Sequence, residues 1–364
     1  MRRRTEDAAI NPYADKTDAQ FWRRSVSGRG PSEVDPITST AFAIARTDKV
    51  ATAGSCFAQH ISRHLAASGF GYFVPEAGPA HPFAADESYG VFSARYGNIY
   101  TVRQLWQLFQ RAYGLIEPQD VAWLRDDGRF IDPFRPRIQD AGFAALEDLL
   151  ADRDSHLEAV RRLFEDCDVF VFTLGLTEAW VAKSDGAVFP LAPGTVTNDI
   201  DNDAYGFHNF TVAEMDADLS RFITALRRVN PACRILLTVS PVALIATYED
   251  THVLSATTFS KSALRVAAEM AKRAFPLVDY FPSYEIITGP QARSEFFEND
   301  LREVSPEGVA HVMSIFARHY LTDAGASQVS APAVAPSRVL RDQAELLRET
   351  QDVICDEEQI ERSL

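Results

Sequence analysis

The sequence predicts a three-layer α/β protein built on a doubly wound, mainly parallel sheet. Three observations carry that reading. Runs that are apolar throughout, "KVATAG", "CDVFVFTLG" and "CRILLTVSPV", recur along the chain with amphipathic stretches between them. A strand with no polar face must be covered on both sides, as in parallel sheets flanked by helices. Each run ends in a glycine-containing or polar turn, where sheets of this kind bind ligands. Apolar residues make up 46% of the 364 and charged residues 24%, enough apolar side chains for a full core.

The elements follow in order. Residues 1–44 are polar, with Pro and Gly, and read as an N-terminal arm that Phe21 and Trp22 anchor onto the body. The body, residues 45–322, opens with the strand "KVATAG" and the helix "FAQHISRHLAASG", ended by Gly69. "NIYTVRQLWQLFQRAYG" is a second helix, closed by Gly114, with Leu105, Leu108, Phe109 and Ala112 on one face. An insertion is expected near 75–150, whose later part is irregular and rich in Asp, Arg and Pro. "SHLEAVRRLFED" is helical, and "CDVFVFTLGLTEAW" is a strand running into a polar turn. Residues 182–210 are rich in Gly, Pro and Asn and read as a second insertion, a long loop. Helix "AEMDADLSRFITALRRVNP", strand "CRILLTVSPV", helix "SKSALRVAAEMAKRAFP", strand "VDYFPSYEII" and helix "SPEGVAHVMSIFARHYL" complete the body. Residues 323–337 form a linker of small residues and proline. Residues 338–364 place Leu340, Ala344, Leu347 and Ile354 at helical spacing, a tail helix that docks on the body or self-associates; the oligomeric state stays open.

The charge balance, 36 basic against 51 acidic residues for a net −15, repels nucleic acid and anionic membrane surfaces. No apolar run is long enough to span a membrane, and the opening "MRRRTEDAAINPYAD" lacks the apolar core of a secretory signal. The four cysteines, Cys56, Cys167, Cys233 and Cys355, have no zinc-site spacing and are too few for a disulfide framework. A reducing, cytoplasmic location is expected. No metal or other cofactor is implied.

The predicted sheet gathers Ser55-Cys56, residues 175–178, Ser240 and residues 281–284 at one edge. Ser55 and Cys56 sit where the first strand turns into a helix. Backbone N–H groups and the helix dipole there favour a thiolate and can hold an oxyanion. Cys56 is thus placed as a nucleophile; the plain alternative is a small buried residue at a tight turn. His252, in "TYEDTHVL" beyond the third strand, is the expected base, with Asp250 to orient it; His208 in "YGFHNF" is the second candidate, and Asn209 beside it can donate to an acyl oxygen. The plain alternative for His252 is a loop histidine bonded to backbone.

The motif "GSCFA" at 54–58 resembles the signature of the GSCFA family, a relative of the SGNH (GDSL-type) hydrolases. "NPYADKTDAQFW", "ARYGNIYT", "TLGLTEAW", "TVSPVALIATYEDTHVL", "SKSALR", "FPSYEIITGP" and "DLREVSPEGVAHVM" resemble further blocks of that family, in order, over about 11–316. The resemblance implies a flavodoxin-like, SGNH-hydrolase-like sheet. It lays Gly54, Ser55 and Cys56 on the Gly-Asp-Ser of GDSL-type enzymes, so Cys56 stands at the nucleophile position and Ser55 is the alternative. It lays Gly175, Thr177 and Glu178 on the Gly-x-Asn-Asp block, without the asparagine, and suggests Gly97-Asn98 for the earlier glycine block. The N–H groups of Cys56 and Gly175 would then hold the oxyanion. Glu303 falls where the Asp-x-x-His block carries histidine. A solvated glutamate, with a reference pKa of about 4.3, is a weak base at neutral pH.

The resemblance implies an acyl hydrolase or acyltransferase that works on an ester or thioester through a covalent acyl-enzyme. Its substrate would be a small molecule or a glycan, and acyl-CoA is a candidate donor. Two other readings stand beside it: a glycan-modifying O-acyltransferase using the 182–210 loop, and a non-catalytic binding protein that kept the fold and lost the histidine.

Overall fold

In the computed structural model, residues 11–76, 78, 89–197, 201–322 and 360 are described. The expected linker, Cys355 and the tail helix apart from Ile360 lie outside the described residues. The elements are α1 (Trp22–Ser25), β1 (Ile44–Ala45), β2 (Val50–Gly54), α2 (Ala58–Ala67), α3 (Val102–Ala112), β3 (Trp123–Leu124), β4 (Phe130–Ile131), α4 (Leu146–Asp166), β5 (Val169–Leu174) and β6 (Glu178–Ala182). They continue with β7 (Val188–Phe189), β8 (Tyr205–Asn209), α5 (Val212–Val229), β9 (Arg234–Val239), α6 (Val253–Ala274), β10 (Val278–Phe281), α7 (Ser283–Thr288), α8 (Pro306–Tyr320) and β11 (Leu321–Thr322).

The central sheet is parallel, in the order β10-β9-β5-β2. Outside β2 the chain adds one more rung, a parallel bridge from Val50 to Tyr72. Counting that rung as a rudimentary second strand, the order is 2-1-3-4-5, the flavodoxin-like doubly wound arrangement. Alternate residues of each strand face opposite layers. Ala51, Ala53, Phe170, Phe172, Ile235 and Leu237 pack with α3, α4, α5 and α6. Val50, Val169, Val171, Leu236 and Phe281 pack with α2, α7 and α8. This explains why the strands read as apolar throughout.

Register brings the strand ends level. Gly54 pairs with Thr173, Leu174 with Val239, and Phe281 with Thr238. Gly54, Gly175, Ser240 and Ser283 therefore share the carboxyl edge, as the alternation predicts. Ser240 N–H donates to Leu174 O at 2.9 Å, and Ser283 Oγ donates to Val239 O at 2.9 Å, tying the turns together.

Four local readings need correction. Trp22 is 63% exposed, so it does not anchor the arm. The arm is held further along, where β1 pairs with β11, Ile37 and Phe42 pack on the α8 layer, and Ala41 N–H donates to Asp279. Residues 182–210 are not all loop: β7 and β8 flank β6 in a three-stranded antiparallel sheet. Helix α4 starts at Leu146, inside the stretch expected to be irregular. The strand expected over "VDYFPSYEII" stops at Phe281, and α7 follows. Pairing across the fold decides these segments, and local pattern does not report it.

Two consequences can be measured. Gly54 has φ +140°, and a Cβ there would collide with the Thr173 backbone oxygen. Gly54→Ala should destabilise the protein by about 3 kcal/mol in urea unfolding; an unchanged midpoint would mean that the strand ends can part. Burial, aided by Arg63, holds the His60 ring down at about 3, and burial, aided by Arg318, holds His311 at about 4, against 6.5. The unfolded chain then takes up protons first, so stability present above about pH 6.5 is lost as pH falls toward 4. His311→Phe, which keeps the stack on Phe296, should flatten that decline in Tm; an unaltered slope would count against it.

Candidate active site

The sheet's switch point lies between β2 and β5, and the Gly54 turn stands over it. Ser55 N–H donates to Thr173 O at 3.3 Å, and Ile99 N–H donates to Gly54 O at 2.8 Å. Gly175 stands so close that a Cβ on it would be 2.9 Å from Ser55 Cβ. Ser55 is 3% exposed, and its Oγ is buried without a hydrogen-bond partner. Cys56 is 5% exposed and opens the helix: Ala58 N–H donates to Ser55 O at 2.8 Å and Gln59 N–H to Cys56 O at 3.1 Å. The cysteine therefore sits in the turn that leads into α2, at the positive end of the helix dipole.

The Gly175 loop differs from expectation. The Gly175 N–H is already donated to Tyr100 O at 3.0 Å, and Leu176 N–H donates to the same oxygen at 2.9 Å. Gly175 thus cannot offer the expected oxyanion donor in this arrangement. Its carbonyl instead accepts from Lys261 Nζ at 2.7 Å, and Lys261 is 1% exposed. Sequence reasoning passed over this lysine inside "SKSALR". The available signal was its spacing: Lys261 lies three and seven residues before Leu264 and Ala268, on the buried stripe of α6. Thr177 N–H donates to Ser260 Oγ at 3.1 Å, and Thr177 Oγ1 is buried without a partner. Gly97, at φ +69°, turns the chain so that buried Asn98 precedes Ile99, the residue bonded to Gly54.

One residue past Gly175, Leu176 begins a cleft of about 330 Å³. Its walls are largely aromatic and aliphatic, with Trp180, Phe207 and Tyr248 in mutual ring contact. Glu178 is the one carboxylate on that wall among the described residues. It accepts from Thr247 Oγ1 at 2.7 Å and from Tyr248 N–H at 3.2 Å, while burial raises its pKa. Ile360 of the tail also lines the cleft. Among the described residues, no group of three or more His, Cys, Asp or Glu side chains could hold a metal ion, and no helix is long and apolar enough to cross a membrane.

The expected bases have other hydrogen-bond partners. His252 is exposed and is the N-cap of α6: its Nδ1 accepts from Leu254 N–H at 3.1 Å. With that lone pair engaged, the neutral ring carries its proton on Nε2 and has no second lone pair to act as base. Asp250 is exposed on the same loop. His208 Nε2 bonds Glu214 at 2.9 Å, and Asn209 donates to Glu249 at 3.1 Å. Glu303 is exposed, its N–H donating to Asp300 at 3.1 Å. His60, one turn beyond Cys56, is a neutral ring with a buried, unpartnered Nδ1; a group held near 3 is a poor base at neutral pH.

The cap and base roles of His252 separate by mutation. His252→Ala should lower stability by about 1 kcal/mol, and His252→Ser should restore the cap. Any turnover that passes through Cys56 should be the same in the His252→Ser variant as in wild type. A collapse of turnover in a stable His252→Ser protein would return His252 to the base role.

No curated protein matches the chain. The family model for GSCFA matches residues 49–316, from the first strand of the central sheet to the last helix. That match spans most of the chain and contains the Gly54 turn, the Gly175 loop and the described cleft residues apart from Ile360, so the chain belongs to the GSCFA family.

Proposed function

We propose that the protein is an SGNH-like acyltransferase or acyl hydrolase that works through a thioester on Cys56. The observation that carries this reading is the turn at the switch point. Ser55 is held there against Gly175, Cys56 follows it in the turn into α2, and the buried Lys261 Nζ donates to the Gly175 carbonyl. A cysteine needs less base assistance than a serine because its thiolate is accessible near neutral pH, most of all beside a helix N-terminus or a cation. This suits a site whose histidines are engaged elsewhere. The thiolate attacks the acyl carbonyl, and the leaving alcohol or thiol departs with the thiol's proton. The developing oxyanion meets the helix N-terminus and Lys261, which takes the part that the missing asparagine would have played.

The second half-reaction needs a base for the acceptor. Glu178, three residues from Gly175 on the cleft wall, would be that base, and burial shifts its pKa upward, the direction that favours the role. The Trp180, Phe207 and Tyr248 rings suit an acceptor with flat apolar faces, such as a sugar, which favours transfer to a glycan hydroxyl over release to water. A second reading, a binding protein that kept the fold, is favoured by the exposed Glu303, at the position where the resemblance to SGNH hydrolases would lead one to expect histidine.

Intact-mass measurement after mixing with p-nitrophenyl acetate or acetyl-CoA decides between them. The enzyme reading predicts one acetyl group on Cys56, absent in Cys56→Ser. It also predicts that Glu178→Gln slows loss of that group by roughly 100-fold or more. No adduct from either donor would favour the binding protein. An adduct that moves to Ser55 would shift the nucleophile by one residue.

A further inference from the structure

The aromatic cleft is assembled from two distant parts of the chain. All but one of its described wall residues fall within 176–248, and bonds across the fold hold them. Thr247 Oγ1 and Tyr248 N–H donate to Glu178, and Asn209 donates to Glu249 beside them. The exception is Ile360, the one described wall residue outside the stretch that the family model matches.

Ile360 reaches the cleft from the far end of the sheet. Leu176 and Leu244 follow β5 and β9, so the cleft stands beyond the carboxyl edge. Strand β11 lies at the amino edge: it pairs with β1, and Arg234, the first residue of β9, donates to Ala43 O at 2.6 Å just ahead of β1. After Thr322 the chain must therefore pass from one edge to the other. Residues 323–359 suffice for this, since an unstructured chain of that length averages roughly 30–36 Å end to end. A six-residue strand such as β5 or β9 is only about 20 Å long.

The sequence singles out the same residue. Leu340, Ala344, Leu347 and Ile354 share a helical stripe that continues at Glu358 and Glu361. Ile360 stands off that stripe, in the polar run "DEEQIERS", so packing along the stripe does not account for it. A lone aliphatic side chain between polar neighbours can enter an aromatic cleft while its flanks stay in water. In the structure Ile360 is half-buried.

We infer that the segment around Ile360 occupies the aromatic cleft in cis and competes there with the acceptor. The inference rests on the reading of that cleft as the acceptor site. Tethering puts Ile360 at a local concentration in the millimolar range, so a contact too weak to hold a free peptide can still fill the cleft. The wall is already held in place, so the contact spends little on ordering it. The remaining volume, about 330 Å³, is at the lower end for a ligand site, and Ile360 forms part of its boundary. An acceptor that fills the whole cleft must therefore displace the segment.

Two measurements on the full chain test this, and neither depends on turnover. In the first, Ile360→photo-leucine protein is irradiated as a mixture of light and isotope-labelled chains. The proposal predicts cross-links to residues 176–195 or 244–248 within one chain. In the second, the uncharged dye Nile red is titrated into wild type, Ile360→Ser, and Ile360→Ser combined with Tyr248→Ala. Ile360→Ser should bind the dye roughly tenfold more tightly than wild type, and Tyr248→Ala should remove that gain. Cross-links between light and labelled chains would assign the cleft to the segment of a second copy, and cross-links elsewhere on the body would place it off the cleft; either result overturns the proposal. Equal dye affinity in wild type and Ile360→Ser, or no binding by either, would overturn it as well. The acetyl adduct on Cys56 is decided separately: its absence beside cross-links in the cleft would refute the acyl-enzyme reading and leave the occupant in place.

Discussion

Everything at the carboxyl edge depends on how closely β2 and β5 approach. Gly54 pairs with Thr173 with no room for a Cβ, and Gly175 leaves room for one side chain, that of Ser55. The approach is possible only because both positions are glycine, one of them in a backbone conformation that other residues rarely adopt. It has two results. The chain must turn sharply after β2, which delivers Cys56 to the start of α2. The Gly175 carbonyl is also left pointing at α6, where it meets Lys261.

The same constraint accounts for the loop between β2 and α3. Ile99 and Tyr100 bind Gly54 and Gly175 through backbone hydrogen bonds, so residues 97–100 act as a clamp across both strand ends. On one side of that clamp lies the aromatic cleft beginning at Leu176, and on the other an arginine-lined cavity that contains Asn98 and Ile99. A chain segment bonded to both turns ties the walls of the two cavities together.

The fold was legible because its strands are apolar on both faces. "VFVFTL" and "RILLTV" can only be central strands in a covered parallel sheet, and their turns had to share an edge. The place of Cys56 in a strand-turn-helix was legible because that geometry is local. The partners of the turn were not. Lys261 lies far along the chain, and only the fold brings its Nζ to the Gly175 carbonyl. His252 reads as a base because a histidine beside acidic residues looks the same in sequence whether it caps a helix or accepts a proton; in the structure its Nδ1 accepts the Leu254 N–H. Strands β7 and β8 were read as loop because they gain their pairing from β6 and carry Gly, Pro and Asn between them.

The central claim is that the Gly54 turn makes Cys56 reactive although it is almost wholly buried. The most direct measurement is the rate of alkylation of each cysteine by iodoacetamide at neutral pH, resolved by peptide mass, in wild type and Lys261→Met. The account predicts that Cys56 reacts ahead of the buried pair Cys167 and Cys233, and that Lys261→Met slows Cys56 about tenfold while the protein stays folded. Equal, slow labelling of Cys56, Cys167 and Cys233 in both proteins would contradict it, and would leave the turn as a packing device.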